Sequence, residues 1–570
     1  MNSILRKKSF WVIILLISVV SIVGFKKGDD FKISKSLDIY YSLFRELNLF
    51  YVDETDPQQL VKTSIDEMLE SLDPYTEYIP ESDMEDFKFQ TTGDYGGIGA
   101  LVRKEGDYAL ISQPYKNSPA DKAGIKTGDI IQKINGESIK GWELEKVSDN
   151  LKGVPESELT LTIKRPGQEE TLEKNIIRKE VHINSVPYHG VIDKENKIGY
   201  IRITKFTKNS GKEVKEAYRE MEKNHELNSI VLDLRNNPGG LLIEAVNVAN
   251  IFIPEGKEIV STKGRVEKWN EEYVAEKEAI DTEIPLVVMV NNASASASEI
   301  VAGAVQDYDR GVIVGRRTYG KGLVQTTRPL SYNSQLKVTT AKYHVPSGRS
   351  IQAKDYSNRK EDGSVGEIPD TLINEYTTKN GRKVYDGGGI NPDIKQKSSS
   401  LSQLEISLIS EQLIFDYATQ FSLEKDTIPP VSEFEISEDI YQDFKNYIME
   451  KDWEYNTKSE EKLDELIELA KKEKYYELAE ENIEELKENL SPDKESDLET
   501  FKAPIKSLLE EEIVGRYYYQ AGSIEARLEE DIQLDKAKEI LLDTNLYNDI
   551  LSGEYATDNV KEMQEKLDKN

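Results

Sequence analysis

The sequence predicts a multidomain α/β protein: a helical N-terminal region, a small β-rich module, an α/β core and a helical C-terminal extension. Three observations carry this. Short apolar runs alternate with helix-forming runs across residues 181–400, the pattern of parallel strands joined by crossover helices. Ahead of them, residues 91–180 hold β-branched runs broken by glycine turns. Behind them, residues 401–570 are acidic, with apolar residues at helical spacing. A chain of 570 residues leaves room for about four domains.

At the N-terminus, Arg6, Lys7 and Lys8 precede an uncharged, mostly aliphatic run from Phe10 to Phe25. A basic stretch followed by an apolar one reads as an export signal. The run is short for the ~20 residues that span a bilayer comfortably, and no clean small-x-small cleavage site follows it. Residues 1–28 are therefore expected to be either a signal peptide or an uncleaved anchor, and both readings stay open. Either one puts the rest of the chain outside the cytoplasm, in the periplasm or cell envelope. If residues 10–25 are retained, the inner membrane becomes a partner.

Residues 31–90 read as helical, with helices expected at Ser36–Tyr51 and Asp56–Ser71. Leu37, Tyr40, Tyr41, Phe44 and Leu47 recur at helical spacing, and Pro74 stops the second helix. In residues 91–180 strands are expected at Ile98–Val102, Tyr108–Ile111, Ile130–Ile134 and Leu159–Lys164, with one helix at Trp142–Leu151. The core, residues 181–400, predicts strands at Lys197–Ile203, Ile230–Leu234, Leu286–Asn291 and Val312–Gly315. Helices near Ser210–Asn224, Leu242–Ile251 and Ser296–Tyr308 alternate with them. In the C-terminal extension, Leu463, Leu466, Ile467 and Ala470 form one apolar stripe, and Ile505, Leu508, Leu509 and Ile513 another.

Composition removes several function classes. A net charge of −31 argues against nucleic acid as a partner, because phosphate binding needs clustered Lys and Arg. With no cysteine, disulfides, thiolate metal sites and cysteine nucleophiles are excluded. The four histidines (His182, His189, His225 and His344) do not fall at ligand spacing, so no metal site is expected.

Three segments carry chemistry. Asn291-Asn-Ala-Ser-Ala-Ser-Ala-Ser-Glu299 follows the apolar strand and opens a helix. Ser296 therefore lies near free backbone amides and the positive end of a helix dipole, where an oxyanion is stabilised. The same residues also spell a capping box, and that structural reading stays open locally. Lys321 lies between Gly320 and Gly322, which permit close approach and unusual dihedrals. A lysine base must lose about three pKa units from about 10.4, which costs on the order of 4 kcal/mol. Burial beside a sheet can supply that, and Gln325 can orient the amine without adding charge. A surface-hairpin lysine remains the alternative. Leu232-Asp-Leu-Arg-Asn-Asn-Pro-Gly-Gly240 ends a strand. Gly239 and Gly240 can aim amides into a cavity or merely form a turn.

Taken together, in this order, these segments resemble the carboxyl-terminal processing (tail-specific) proteases of the S41 serine peptidases over about residues 35–400. Gly388-Gly-Ile-Asn-Pro-Asp-Ile394 adds to the match. The resemblance implies a ClpP/crotonase-like protease core and an ATP-independent serine endopeptidase without a cofactor. It makes Ser296 the nucleophile and Lys321, 25 residues on, the base. It makes Gln325 the residue that orients the lysine, and it assigns the oxyanion donors to the amide of Ala297 and that of Gly240 or Gly239. Tyr319 stands where many members have phenylalanine. The resemblance also identifies residues 91–180 as a PDZ domain. There Gly96, Gly97, Ile98 and Gly99 would bind a terminal carboxylate, and the peptide would add as a strand beside Ile98–Val102. The expected partners are protein or peptide substrates held by their C-termini, with residues 401–570 open to an adaptor or to self-association. The rival reading from another class is a PDZ scaffold that binds tails without cutting them.

Overall fold

The computed structural model describes residues 30–360, 363–397, 400–490 and 493–555. The segment expected to direct export, residues 1–28, lies outside them. Among the described residues no helix is long and apolar enough to cross a membrane. The chain divides into two compact units, one ending at Tyr78 and one beginning at Ile79, so the boundary falls inside the region read as 31–90.

The first unit is helical, with a helix over 30–50 and another at Pro57–Glu70. Asp56 caps the second helix by accepting from the Gln58 amide at 2.8 Å. Pro57 sits at its first turn, where no donor is needed.

In the second unit the β-rich module forms an antiparallel sheet. Its strands run in the spatial order Ala100–Glu105, Tyr108–Pro114, Ile130–Ile134, Glu158–Lys164 and Thr171–Ile177. Its one longer helix, Leu144–Leu151, packs Val147 and Leu151 into a core of Ile98, Ile111, Ile131 and Leu161. Each such buried aliphatic side chain contributes roughly 1.5–3 kcal/mol. Asp94–Gly97 pairs separately with Lys179–His182.

The α/β core is a six-stranded sheet in the order Tyr188–Asp193, Ile198–Arg202, Ser229–Asp233, Leu286–Val290, Val312–Gly315 and Ile394–Lys395. The first pair is antiparallel and the rest are parallel. Central strands buried on both faces need unbroken apolar runs, and Leu286–Val290 is buried at every position. Helices Ser210–His225, Leu242–Ala249 and Ala297–Asp307 cover one face. The opposite face is closed by two helices from the C-terminal extension. Helices Ile532–Leu542 and Thr544–Ser552 bring Leu534, Ala537, Ile540 and Ile550 against Val231, Val287, Met289 and Val314.

While Lys458–Glu473 and Tyr476–Leu490 pack together through Leu463, Ile467 and Ile483, helices Gln403–Ser410, Leu413–Glu424, Glu438–Met449 and Lys502–Arg527 build a separate core around Tyr417, Phe421, Tyr441 and Phe444. This body grips the β-rich module. Arg103 lies over the Phe415 ring at 3.8 Å and Arg516 lies over it at 4.4 Å. Tyr519, at φ 60° inside the helix Lys502–Arg527, donates to Asp121 at 2.7 Å.

Candidate active site

The strand Leu286–Val290 ends at a turn held from both sides. Ser294 Oγ donates to the Leu234 carbonyl at 2.8 Å, and the Asn291 and Asn236 side chains bond to each other at 2.8 Å. Asn237 ties the neighbouring loop to the same turn. Its carbonyl accepts from the Ala295 amide at 3.0 Å and from Ser298 Oγ at 2.9 Å, and its side chain donates to the Ile203 carbonyl at 3.0 Å.

Between these anchors Ser296 adopts φ 55°, ψ −112°, a conformation that costs a non-glycine residue on the order of 1–3 kcal/mol. The surrounding bonds over-determine it. It is half-buried and directly precedes the helix Ala297–Asp307. The helix opens with a capping box, in which Glu299 accepts from the Ser296 amide at 2.8 Å. The local sequence thus carried both of its readings: the segment is a cap, and it also presents a strained serine.

Gly239 and Gly240 lie against this turn. A Cβ on Gly239 would fall 2.8 Å from Ser296 Cβ and 2.9 Å from the Ala297 amide nitrogen. A Cβ on Gly240 would fall 2.0 Å from the Phe206 carbonyl oxygen. With φ of 99° and 146°, both positions require glycine. The Gly239 amide is spent on Asn237 Oδ1 at 2.9 Å. Among the described hydrogen bonds, the amides of Gly240 and Ala297 donate to no other group.

Lys321 comes to the same place through Glu299. This fully buried carboxylate accepts from the Ser296 amide (2.8 Å), the Lys321 amide (2.9 Å), the Gly320 amide (2.7 Å) and Thr318 Oγ1 (2.5 Å). Burial pushes its pKa up to about 7, against the four donors that pull it down. The glycines beside Lys321 are demanded by close packing. A Cβ at Gly320 would lie 2.4 Å from Ala353 Cβ, and one at Gly322 would lie 2.8 Å from the Gln352 amide nitrogen.

Tyr343 was not singled out in the sequence. It lies on the strand Gln335–His344, and its hydroxyl donates to the Lys321 carbonyl while the Ser296 hydroxyl faces the same phenol. Burial raises the Tyr343 pKa well above its ordinary value, so the phenol stays neutral. Gln325 stands on the adjoining strand Leu323–Pro329, opposite Thr339, and its amide nitrogen donates to Thr339 Oγ1 at 3.1 Å.

The structure therefore gathers Ser296, Ala297, Gly239, Gly240 and the backbone of Lys321. Gly96, Gly97, Ile98 and Gly99 lie apart, in the β-rich module. There Gly96 and Gly97 belong to the strand paired with Lys179–His182, Ile98 is buried and Gly99 adopts φ 76°. Among the histidines, His182 bridges Asp94 (2.6 Å) and Glu213 (3.0 Å), and His189 faces Glu220 at 3.3 Å. Among the described residues, no group of three or more His, Asp or Glu side chains is placed to hold a metal ion.

Comparison with known proteins gives three family matches. Residues 197–365 match peptidase family S41, residues 110–165 match a PDZ domain, and residues 404–541 match the C-terminal helical domain of probable PDZ-proteases. A probable CtpA-like serine protease of Staphylococcus aureus (strain COL) is 35% identical over 476 residues, covering 80% of this chain and 91% of the relative. A carboxy-terminal-processing protease of Bartonella bacilliformis is 36% identical over 377 residues, covering 65% of this chain and 83% of the relative. Among solved structures, a photosystem II D1 C-terminal processing protease is 28% identical, with a TM-score of 0.34, over 63% of this chain and 92% of that one.

Proposed function

Since the chain belongs to peptidase family S41, we propose that it is an exported serine endopeptidase that selects proteins by their C-terminal tails and cuts them with Ser296 and Lys321. One observation carries the catalytic part: the Glu299 carboxylate holds the backbones of Ser296 and Lys321 together, beside two amides with no other acceptor.

In this reading Lys321 Nζ, as a neutral amine, removes the proton from Ser296 Oγ as that oxygen attacks the scissile carbonyl carbon. Charge develops on the carbonyl oxygen, where the Ala297 and Gly240 amides and the start of the helix Ala297–Asp307 stabilise it. Of the two candidate glycines, Gly240 is the donor, because the Gly239 amide is already spent. Lysine then returns the proton to the leaving amine, giving an acyl-enzyme. Water activated by the same lysine releases the acyl product. Gln325, anchored through its nitrogen on Thr339, keeps a carbonyl oxygen with which to orient the amine.

Tail recognition rests on the PDZ match at 110–165 and on a groove between the edge strand Ala100–Glu105 and the helix Leu144–Leu151. Export rests on the basic and apolar residues at 6–25. A casein-type proteolysis assay on protein lacking residues 1–28 tests the reading. Cleavage that disappears in Ser296→Ala supports it. Tail binding without any cleavage by the unmutated protein would make the chain a scaffold.

A further inference from the structure

The C-terminal extension reaches the candidate oxyanion loop through one arginine. The strand Ser229–Asp233 ends at a fully buried aspartate. Asp233 accepts from the Tyr200 hydroxyl at 2.6 Å and pairs with Arg202 at 2.6 Å. Two residues on, Arg235 turns its guanidinium back onto the same carboxylate, with Nε at 3.0 Å and Nη2 at 2.7 Å. The other edge of the fork leaves the core sheet. Nη1 and Nη2 donate to Asp531 Oδ1 at 3.0 Å and Oδ2 at 2.5 Å, and Nη1 also donates to Gln533 Oε1 at 3.0 Å. All five guanidinium donors are used in this way. The charges also balance, Arg202 and Arg235 against Asp233 and Asp531.

The distal partners are themselves fixed. Asp531 is the N-cap of the helix Ile532–Leu542, where its Oδ1 accepts from the amides of Gln533 (3.0 Å) and Leu534 (3.1 Å). Gln533 Nε2 donates to the Gln396 carbonyl at 2.8 Å, and the Gln396 amide donates to the Gly315 carbonyl at 2.8 Å. The start of this helix is thus anchored on the end of the strand Val312–Gly315. On the near side, the chain runs from Arg235 directly into the site. Asn236 adopts φ 57° and its amide donates to Asn291 Oδ1 at 2.9 Å, Asn237 holds the serine turn, and Gly240 follows three residues later.

We propose that Arg235 is a positioning residue, and that Asp531 and Gln533 of the C-terminal extension fix the oxyanion loop through it. The last helices then shape the active site as well as covering the sheet. This rests on the oxyanion role proposed above for Gly240. Lysine could not replace Arg235, because an ammonium has three donors and no planar fork to span two carboxylates.

The test compares Asp531→Asn and Arg235→Lys in the full chain, with Asp535→Asn as control. Asparagine still caps a helix but offers Arg235 one acceptor in place of two. Asp535 lies in the same helical turn and faces Lys538 at 3.0 Å. The readouts are kcat and KM for a tail-bearing peptide, Tm, and inhibition by a peptidyl boronic acid. The boronate forms a tetrahedral adduct on the serine, so its affinity follows transition-state stabilisation. Both Asp531→Asn and Arg235→Lys should lower kcat roughly tenfold with KM unchanged, a part of the 10²- to 10³-fold that outright loss of an oxyanion donor costs. The boronate should bind more weakly by a similar factor, and Asp535→Asn should match the parent. If Arg235→Lys fails to fold, Asp531→Asn alone decides. Parent-like kcat and boronate affinity in Asp531→Asn, whatever its Tm, would overturn the proposal. Absence of both hydrolysis and boronate inhibition in the parent protein would instead overturn the peptidase reading, and this inference with it.

Discussion

Glu299 and Lys321 are joined by a 2.9 Å bond from the lysine amide to Glu299 Oε2, the same oxygen that takes the Ser296 amide at 2.8 Å. One buried carboxylate therefore sets the spacing between two segments that the proposed chemistry must hold in register. A misplacement of about 1 Å at reacting groups can cost on the order of a hundredfold in rate.

Replacing that carboxylate should be severe. Glu299→Gln keeps the shape but turns a donor toward amides that need an acceptor. Leaving buried donors unsatisfied costs roughly 1–3 kcal/mol each. We expect a lower Tm and a fall in kcat/KM on the order of a hundredfold, measured by thermal unfolding and peptide hydrolysis. Full activity in Glu299→Gln would show that the carboxylate only caps the helix.

The same residue gives a pH signature in stability. Its folded pKa is raised to about 7 from an ordinary 4.5. Between these values the folded state holds the proton and the unfolded state releases it, so unfolding loses protons and stability falls as pH rises. The contribution is fully present below about 4.5 and lost by about 7. Denaturant midpoints of the parent protein, referenced to Glu299→Gln, should decline from pH 4.5 to pH 7. A rise across that window would contradict the assignment.

At the proposed oxyanion site, Gly240→Ala would drive a methyl group to within 2.0 Å of the Phe206 carbonyl. The loop must shift and carry its amide away. Loss of one oxyanion donor typically costs 10²- to 10³-fold in kcat. That loss, with KM for the tail substrate nearly unchanged, is the expected steady-state result.

Tyr343→Phe tests the phenol that meets Ser296 and the Lys321 carbonyl. Removing one hydrogen bond should lower stability by about 1 kcal/mol and kcat by roughly tenfold. Chemical denaturation and hydrolysis rates measure the two effects, and an unaltered kcat would leave Tyr343 a packing residue.

Much of this was legible in the sequence because local rules determine it. Leu286–Val290 is a run of five apolar residues, and Val312–Gly315 lies between turn residues, so both strands were placed to within a residue. Glu299 was read as a cap. The bonds that give it a second role come from residues 318–321, and no local pattern announces them. Tyr343 was missed because its strand, Gln335–His344, is half-buried and broken by Lys337, Thr339, Thr340 and Lys342, so its apolar period is weak. Leu534, Ala537 and Ile540 were not singled out in the sequence, and nothing near them reveals that they cover the back of the core sheet.

Lys321→Arg separates charge from basicity. A guanidinium keeps the positive charge but does not deprotonate in proteins. The variant should fold, bind tails and fail to hydrolyse them. Near-normal turnover would remove lysine as the base.

The most direct measurement compares Ser294→Ala, Ser296→Ala and Ser298→Ala in one peptide-hydrolysis assay. Ser294 Oγ and Ser298 Oγ donate to the carbonyls of Leu234 and Asn237, so their loss should reduce stability and leave measurable turnover. Ser296→Ala should fold with a similar Tm and show no turnover above background. Hydrolysis by Ser296→Ala at a rate near that of the parent would contradict the account at its centre.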